Sequence, residues 1–406
     1  MPATRKLLLL LTTIIVFSTS RASDTSLNKI EEFGSNPGNL EMFVHVPAKL
    51  PNGPVPMVMV LHGCTQNASG VAELTGWNKL ADLYGFYVLY PQTKFTNNTS
   101  LCFNWFREQD ISKGSGECES IKQMVVFMNK HYAIDSTKTF VTGLSAGAAM
   151  SVVMMATHPE MFNAGAIFAG GPYKMGTNVF TGMSGMAGWV IKSPQNWGDL
   201  VRQQNLRYKG PYPRMIVYQG TKDPVVNKRN AYELIKQWAN VQGIKEIPSI
   251  ALNGYAGVPD IARMSYRNKA GEETIALYEV DNMGHALLIH PGNCRNEGGD
   301  KGTFAVDKGF HSTYQTAIDF GIIPKPVITG DDEAEANQQQ ISYTVPFYEG
   351  SKYVWTYPAD CTLTTENGTN QITLTWGKTE GDVTVVETDA QGCKYSFAPV
   401  YVTIKK

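Results

Sequence analysis

Long blocks of like charge are missing from this 406-residue chain, which sets 35 Lys and Arg against 36 Asp and Glu. With no basic stripe and no acidic run, the surface offers little to a nucleic-acid backbone or an anionic membrane, so a neutral or weakly charged ligand fits better. A bilayer-spanning hydrophobic run is also missing. The apolar stretch from Leu7 to Phe17 falls well short of the ~20 residues a spanning helix needs, and no other stretch approaches it. It follows Arg5-Lys6 and leads into Ser18-Thr19-Ser20-Arg21-Ala22, with small residues three and one before a cut after Ala22. Residues 1–22 are therefore expected to be a secretory signal peptide, and the mature protein to be exported with no membrane insertion. Cysteine is scarce and never spaced C-x-x-C, which argues against a metal site. Export makes the even set Cys64, Cys102, Cys118, Cys294, Cys361 and Cys393 candidates for disulfides. Their positions favour Cys361–Cys393 in the C-terminal segment, and Cys64–Cys102 with Cys118–Cys294 around the candidate site.

Apolar, β-branched segments recur at Met42–Val46, Met57–Leu61, Tyr87–Tyr90, Thr139–Thr142, Gly165–Ala169, Met215–Tyr218 and Thr274–Val280. Several are almost wholly apolar, as strands covered on both faces must be. Helical patterns alternate with them. Ser120–Tyr132 puts Ile121, Met124, Val125 and Met128 on one face, and Asn230–Gln242 does the same with Leu234, Ile235 and Trp238. The fold class expected is α/β, a mostly parallel sheet with helices on both faces, whose ligands bind beyond the carboxyl ends of the strands. After Gly321 the character changes. Pro324-Lys325-Pro326 and an acidic, Gln-rich stretch at Gly330–Gln340, either a linker or a first edge strand, precede short alternating runs at Tyr343–Tyr348, Lys352–Tyr357, Gln371–Trp376, Asp382–Glu387 and Val400–Ile404. Asn367-Gly368 and Gln391-Gly392 supply turns, and a small all-β sandwich is expected.

Gly143-Leu144-Ser145-Ala146-Gly147 joins the strand ending at Thr142 to the helix-forming stretch Ala148–Ala156. A G-x-S-x-G turn between strand and helix lifts the serine oxygen above the sheet and sets a helix N-terminus beneath it, which marks Ser145 as a candidate nucleophile. A serine hydroxyl needs a histidine to take its proton and a carboxylate to orient that histidine, and on this fold they follow in the order Ser, acid, His. Asp223, on a loop after the Met215–Tyr218 strand, suits the acid; the competing role is an Asx turn ahead of Pro224. Of the histidines after Ser145, His285 follows the Thr274–Val280 strand and a glycine, whereas His290 and His311 are expected to make structural hydrogen bonds and Asp281 to be a surface turn residue. His62-Gly63-Cys64 follows the Met57–Leu61 strand, a position that commonly supplies one oxyanion-hole N–H. The backbone amides of Cys64 and Ala146 are assigned there, with His62 bracing the loop.

With these residues in place, Glu41 to about Gly321 resembles the poly(3-hydroxybutyrate) depolymerase-type esterase family of α/β-hydrolases. The resemblance is carried by Leu61-His62-Gly63-Cys64-Thr65-Gln66-Asn67, Cys102-Phe103-Asn104-Trp105-Phe106, Gly116-Glu117 with Ser120-Ile121, Ala169-Gly170-Gly171-Pro172-Tyr173, Gln219-Gly220-Thr221-Lys222-Asp223-Pro224 and Met283-Gly284-His285-Ala286, besides the segment around Ser145. It implies secreted carboxylic-ester hydrolysis through Ser145, Asp223 and His285, with no metal or organic cofactor. The family includes aliphatic polyester depolymerases and cell-wall esterases releasing feruloyl or acetyl groups. Many members continue after the histidine with Ala-Trp-Pro-Gly, whereas this chain has Ala286-Leu287-Leu288-Ile289, so a more aliphatic pocket wall is expected. Trp105, Tyr173 and Trp197 are candidates to line a substrate cleft, against the alternative of core aromatics. The C-terminal segment looks like polycystic-kidney-disease-like β-sandwich modules, through Tyr343-Thr344-Val345-Pro346, Tyr353–Pro358, Ile372–Gly377 and Val383–Thr388. That gives an esterase domain over residues 23–325 and a β-sandwich over residues 326–406, the latter a polymer binder or a spacer. Trp355 and Trp376 are weighed as an exposed platform against core packing, with core favoured. A secreted serine esterase acting on a polymeric or oligomeric ester is the function expected, a polyester depolymerase before a feruloyl or acetylxylan esterase. A non-catalytic binding protein on a hydrolase fold is the rival of another class.

Overall fold

The computed structural model describes residues 27–405, so the expected signal peptide lies outside the described residues. One ten-stranded sheet contains β1 (Asn28–Ile30), β2 (Glu41–His45), β3 (Val55–Leu61), β4 (Tyr87–Gln92), β5 (Ile134–Leu144), β6 (Ala164–Phe168), β7 (Arg214–Gly220), β8 (Ile250–Asn253), β9 (Ile261–Arg267) and β10 (Glu273–Val280). The order is β1-β2-β4-β3-β5-β6-β7-β10-β9-β8, parallel from β4 to β10 and antiparallel at both margins. The helices are α1 (Ala68–Thr75), α2 (Trp77–Tyr84), α3 (Gly116–His131), α4 (Ala146–Thr157), α5 (Val179–Met186), α6 (Pro194–Arg202), α7 (Arg229–Gln242) and α8 (Ser312–Phe320).

Alternation along each strand divides the core in two. Met57, Met59 and Leu61 of β3 pack with Ile121 and Met124 of α3, Met150 of α4 and Trp238 of α7, whereas Val58 and Val60 pack with Trp77 of α2 and Ala317 of α8. Helix α4, buried along its whole length, runs back beneath the sheet from the end of β5. A parallel pair, β11 (Leu287–Ile289) with β12 (Ala305–Asp307), follows the sheet.

The remaining strands are β13 (Glu333–Ala334), β14 (Ile341–Thr344), β15 (Lys352–Thr356), β16 (Thr362–Leu363), β17 (Gln371–Thr375), β18 (Gly381–Thr388), β19 (Lys394–Ser396) and β20 (Val400–Ile404). They form sheets β13-β20-β18-β15, with β19 on β18, and β14-β17-β16. The acidic, Gln-rich stretch thus holds a two-residue edge strand, β13, parallel to β20. Inward residues of both sheets share a core with Trp355 and Trp376, which are buried and present no platform.

Two disulfides are present, Cys64–Cys102 and Cys294–Cys393, and Cys118 and Cys361 are buried free thiols. The expected Cys118–Cys294 and Cys361–Cys393 bridges are therefore corrected. Cys118 lies in the core on the α3 and α4 face, while Cys294 sits in a loop gathered by Lys79 of α2, whose Nζ donates to the carbonyls of Gly292, Cys294 and Glu297. The sheet stands between them. Cys361 donates its N–H to Pro358, whose ring meets Gly381 at the start of β18, and Cys393 donates to Asp389 just past the end of β18. An eight-residue strand keeps these sites roughly 20 Å apart.

The Cys294–Cys393 bridge ties the loop after β11 to the β18–β19 hairpin. Beside it, the Arg295 guanidinium lies between the rings of Tyr348 and Tyr395, 3.7 and 3.5 Å from their centroids. Both of its terminal nitrogens donate to the buried Glu387 carboxylate.

Candidate active site

Ser145 stands at the end of β5 with φ 57° and ψ −117°, a positive-φ backbone that a residue with a side chain normally avoids. The neighbouring glycines leave room for it. A Cβ on Gly147 would stand 2.1 Å from the Leu61 carbonyl oxygen, and one on Gly143 would stand 2.5 Å from the Gly147 carbonyl carbon. Only bare backbones pack this closely, so the serine turn and the end of β3 sit side by side, in the register that pairs Leu61 with Gly143.

Asp223 and His285 are 62 residues apart, yet they follow β7 and β10, which are parallel neighbours. A Cβ on Gly220 would fall 2.3 Å from the Met283 carbonyl oxygen, so the glycine admits the histidine loop. Lys222 N–H donates to the same oxygen at 3.0 Å. His285 Nδ1 lies 2.8 Å from Asp223 Oδ2, while Oδ1 accepts the N–H groups of Val225 and Val226 at 2.8 and 2.9 Å. The turn role and the pairing with histidine thus use different oxygens of one carboxylate. The side chain of Asp223 is fully buried. An ionised carboxylate can only accept, so Nδ1 carries the proton and Nε2 is left as an acceptor.

Ser145 and His285 both line one cavity of about 410 Å³. Among the described residues no hydrogen bond joins Ser145 Oγ to the imidazole; a free enzyme often holds these groups loosely until substrate tightens the contact. The cavity wall includes Cys64, Ala146, Trp105, Met175, Met186, Val225 and Phe304. Apart from His285 no ionisable side chain lines it. Phe304 meets the imidazole edge to face, with ring centroids 6.1 Å apart.

Neither the Cys64 nor the Ala146 backbone N–H has a hydrogen-bond partner among the described residues. Buried His62 explains how the first is aimed. Its Nε2 accepts Thr93 N–H at 3.2 Å, which leaves the proton on Nδ1 to donate to the Gly63 carbonyl at 2.8 Å. Burial drives the imidazole pKa down to about 4, so the ring stays neutral in this role. Gly63 C=O and Cys64 N–H belong to one trans peptide and point in opposite directions, so fixing the carbonyl fixes the N–H. Gln66 Oε1 accepts Gly63 N–H at 2.8 Å, and the Cys64–Cys102 bridge ties the turn down from the other side.

Trp105 lies in the cavity wall as expected, but Tyr173 and Trp197 do not. Tyr173 is buried and donates its hydroxyl to the Ile111 carbonyl at 2.9 Å; Trp197 is buried on α6 and donates Nε1–H to Glu233 of α7 at 2.7 Å. Gln237 of α7 bonds to the backbones of both, so these aromatics belong to the core beneath the site. His311 donates Nε2–H to the Thr75 carbonyl at 2.9 Å, and His290 lies near Glu297 and Asp307, both structural roles. Asp281 accepts from Thr221 at the surface. Met175, Met186, Val225 and Phe304 are wall residues that sequence reasoning misses, because nothing distinguishes their spacing from that of loop or core residues. No group of three or more His, Cys, Asp or Glu side chains that could hold a metal ion occurs among the described residues.

The chain is similar to known proteins. Residues 41–254 match the family model described as Esterase PHB depolymerase, and residues 323–399 match a PKD-like domain. The chain is 40% identical over 309 residues to poly(3-hydroxyalkanoate) depolymerase C of Paucimonas lemoignei, spanning 76% of this chain and 73% of that protein. It is 33% identical over 267 residues to an acetylxylan esterase of Coprinopsis cinerea, spanning 64% of this chain and 69% of that one. Among solved structures, the acetyl xylan esterase of Aspergillus awamori aligns with a TM-score of 0.59 at 29% identity, over 64% of this chain and 94% of that chain.

Proposed function

Since the chain belongs to the Esterase PHB depolymerase family and is a carboxylic-ester hydrolase, we propose that it is a secreted serine depolymerase of aliphatic polyesters. The nucleophile is Ser145. Its Oγ adds to the ester carbonyl carbon while its proton passes to His285 Nε2, and Asp223 stabilises the resulting imidazolium through Nδ1–H. The developing oxyanion is received by the N–H groups of Cys64 and Ala146, each such donor being worth roughly 3 to 4 kcal/mol. Collapse expels the alcohol, which takes the proton from His285, and leaves an acyl-Ser145 ester. Water then repeats the sequence, giving up one proton to His285 and releasing the hydroxy acid.

The observation that carries the substrate assignment is the cavity wall. Trp105, Met175, Met186, Val225 and Phe304 supply apolar surface, and no ionisable side chain but His285 faces the cavity. An acyl chain of repeating aliphatic units gains from such a wall, whereas a sugar bearing hydroxyls would find few partners in it. Export is supported by the leader-like segment of the sequence and by two disulfides, which persist in oxidising compartments. The esterase domain is assigned to residues 23–325 and the module to residues 326–406.

Incubation with poly(3-hydroxybutyrate) film and, separately, with acetylated and feruloylated xylan tests the assignment. Release of 3-hydroxybutyrate and its oligomers is expected. Acetate or ferulate from the xylans with nothing from the film would replace it with a cell-wall esterase, and no ester cleavage by wild type would leave a binding protein.

A further inference from the structure

Helix α5 has its residue types reversed for packing. Its inward positions are Gly182 and Gly185, both buried, while Val179, Phe180 and Met183 face solvent, Phe180 at 82% exposure. The small residues are needed where they are: a Cβ on Gly182 would come within 3.0 Å of Phe106, and one on Gly185 within 2.7 Å of the Met175 carbonyl. The helix is thus clamped down by backbone contact and shows its large apolar side chains to water, the opposite of an ordinary surface helix. No charged residue occurs from Met175 to Ile191. Just past the helix, Trp189 donates its N–H to Ser184 and is 75% exposed, and Ile191 is 56% exposed.

This surface is continuous with the cavity. Met186, one helical turn beyond Met183, lines the cavity, and so does half-exposed Val225. Asn227 N–H donates to the Met186 carbonyl at 2.8 Å, which joins the two rims. The polar side chains of α5 are already engaged. Thr181 Oγ1 accepts the N–H groups of Thr177 and Asn178, and Ser184 Oγ donates to Phe180. Contiguous exposed apolar surface of this kind marks an interaction site.

We propose that Phe180, Met183 and Trp189 form a docking surface for the face of a solid, uncharged aliphatic polyester, which lays polymer chains across the mouth of the Ser145 cavity. The proposal rests on the polyester reading above. A second copy of this chain seated here would cover the catalytic mouth, and a polysaccharide would find no free hydrogen-bonding side chain on α5. The esterase unit then contributes its own adsorption surface, and Trp355 and Trp376 of the module, both buried, contribute none.

The test compares full-length wild type with Phe180→Ser, Trp189→Ser and the double variant, all at exposed positions. Binding isotherms on poly(3-hydroxybutyrate) film are read alongside hydrolysis of a soluble short-chain nitrophenyl ester and gel filtration. Each substitution is expected to weaken film binding by about tenfold, the value of one buried aromatic side chain. Film erosion should fall in step, while kcat/KM on the soluble ester stays within about twofold. Wild-type binding should also persist at about 1 M salt, which screens ionic attraction. Unchanged film binding by the double variant would overturn the proposal, as would a wild-type dimer that the double variant breaks. The two readings fail separately: film binding that depends on Phe180 and Trp189 without any hydroxy-acid release would uphold the surface and remove the depolymerase assignment.

Discussion

The imidazole of His62 holds the carbonyl of Gly63 at 2.8 Å, and through that peptide it fixes the direction of the N–H of Cys64, a residue of the cavity wall. Replacing His62 with Ala frees the peptide to rotate and leaves Thr93 N–H without its partner. On a soluble ester, kcat is expected to fall by about 100-fold, the scale of one lost oxyanion donor, with KM nearly unchanged. A raised KM at constant kcat would instead make His62 a substrate-binding residue.

Ser145→Gly should separate activity from stability. Hydrolysis is expected to fall by at least about 10⁴-fold through loss of the nucleophile. Glycine adopts φ 57° without a Cβ penalty, so the melting temperature should rise, corresponding to about 1 kcal/mol of relieved strain. Thermal unfolding by calorimetry and a nitrophenyl ester assay check the two halves.

Buried titratable groups give the stability profile two opposing slopes. Burial lowers His62, His158 and His311 to about 4, below the ordinary value of 6.5. The unfolded chain therefore binds more protons in that interval, and stability present above pH 6.5 is lost as pH falls through 4. Burial raises Glu117 to about 8, so its contribution is complete below the ordinary carboxyl value of 4.5 and is lost as pH rises through 8. Melting temperatures across this range should fall at both ends, and Glu117→Gln should flatten the alkaline side alone.

Arg295→Ala would leave the buried Glu387 carboxylate without its cationic partner, with the Ser351 hydroxyl still donating to it, at a cost of about 3 to 5 kcal/mol. Removing the Cys294–Cys393 bridge by paired serine substitutions is expected to cost about 2 to 4 kcal/mol. Denaturant titrations measure both.

Thiol labelling should find no fast-reacting cysteine in the native protein and two after denaturation without reductant, Cys118 and Cys361. Burial pushes the Cys118 thiol up to about 12, which suppresses the reactive thiolate.

The parallel strands and the loop positions of the proposed triad were legible because local signals suffice for them. Apolar runs mark buried strands, and Ser145, Asp223 and His285 each sit just past one. The marginal strand β8 is exposed throughout and β9 mixes buried Ile261 and Tyr266 with half-buried residues, so neither gives such a run. Pairing of Cys294 with Cys393 was not legible, since it depends on how two separately folded layers meet. Tyr173 and Trp197 are core residues because Gln237 holds their backbones beneath the site, and an aromatic reads alike in sequence whether it faces a cavity or the core. Phe304 reaches the imidazole only through the long loop that begins after β11, a path no periodicity records.

The loop from His285 to Phe304 carries Cys294 and Arg295 at its midpoint. A displacement of the C-terminal module is therefore passed to this loop through a sulfur bridge and a guanidinium clamp, in addition to the peptide between α8 and β13. The same anchorage makes the module a buttress for the segment that follows His285.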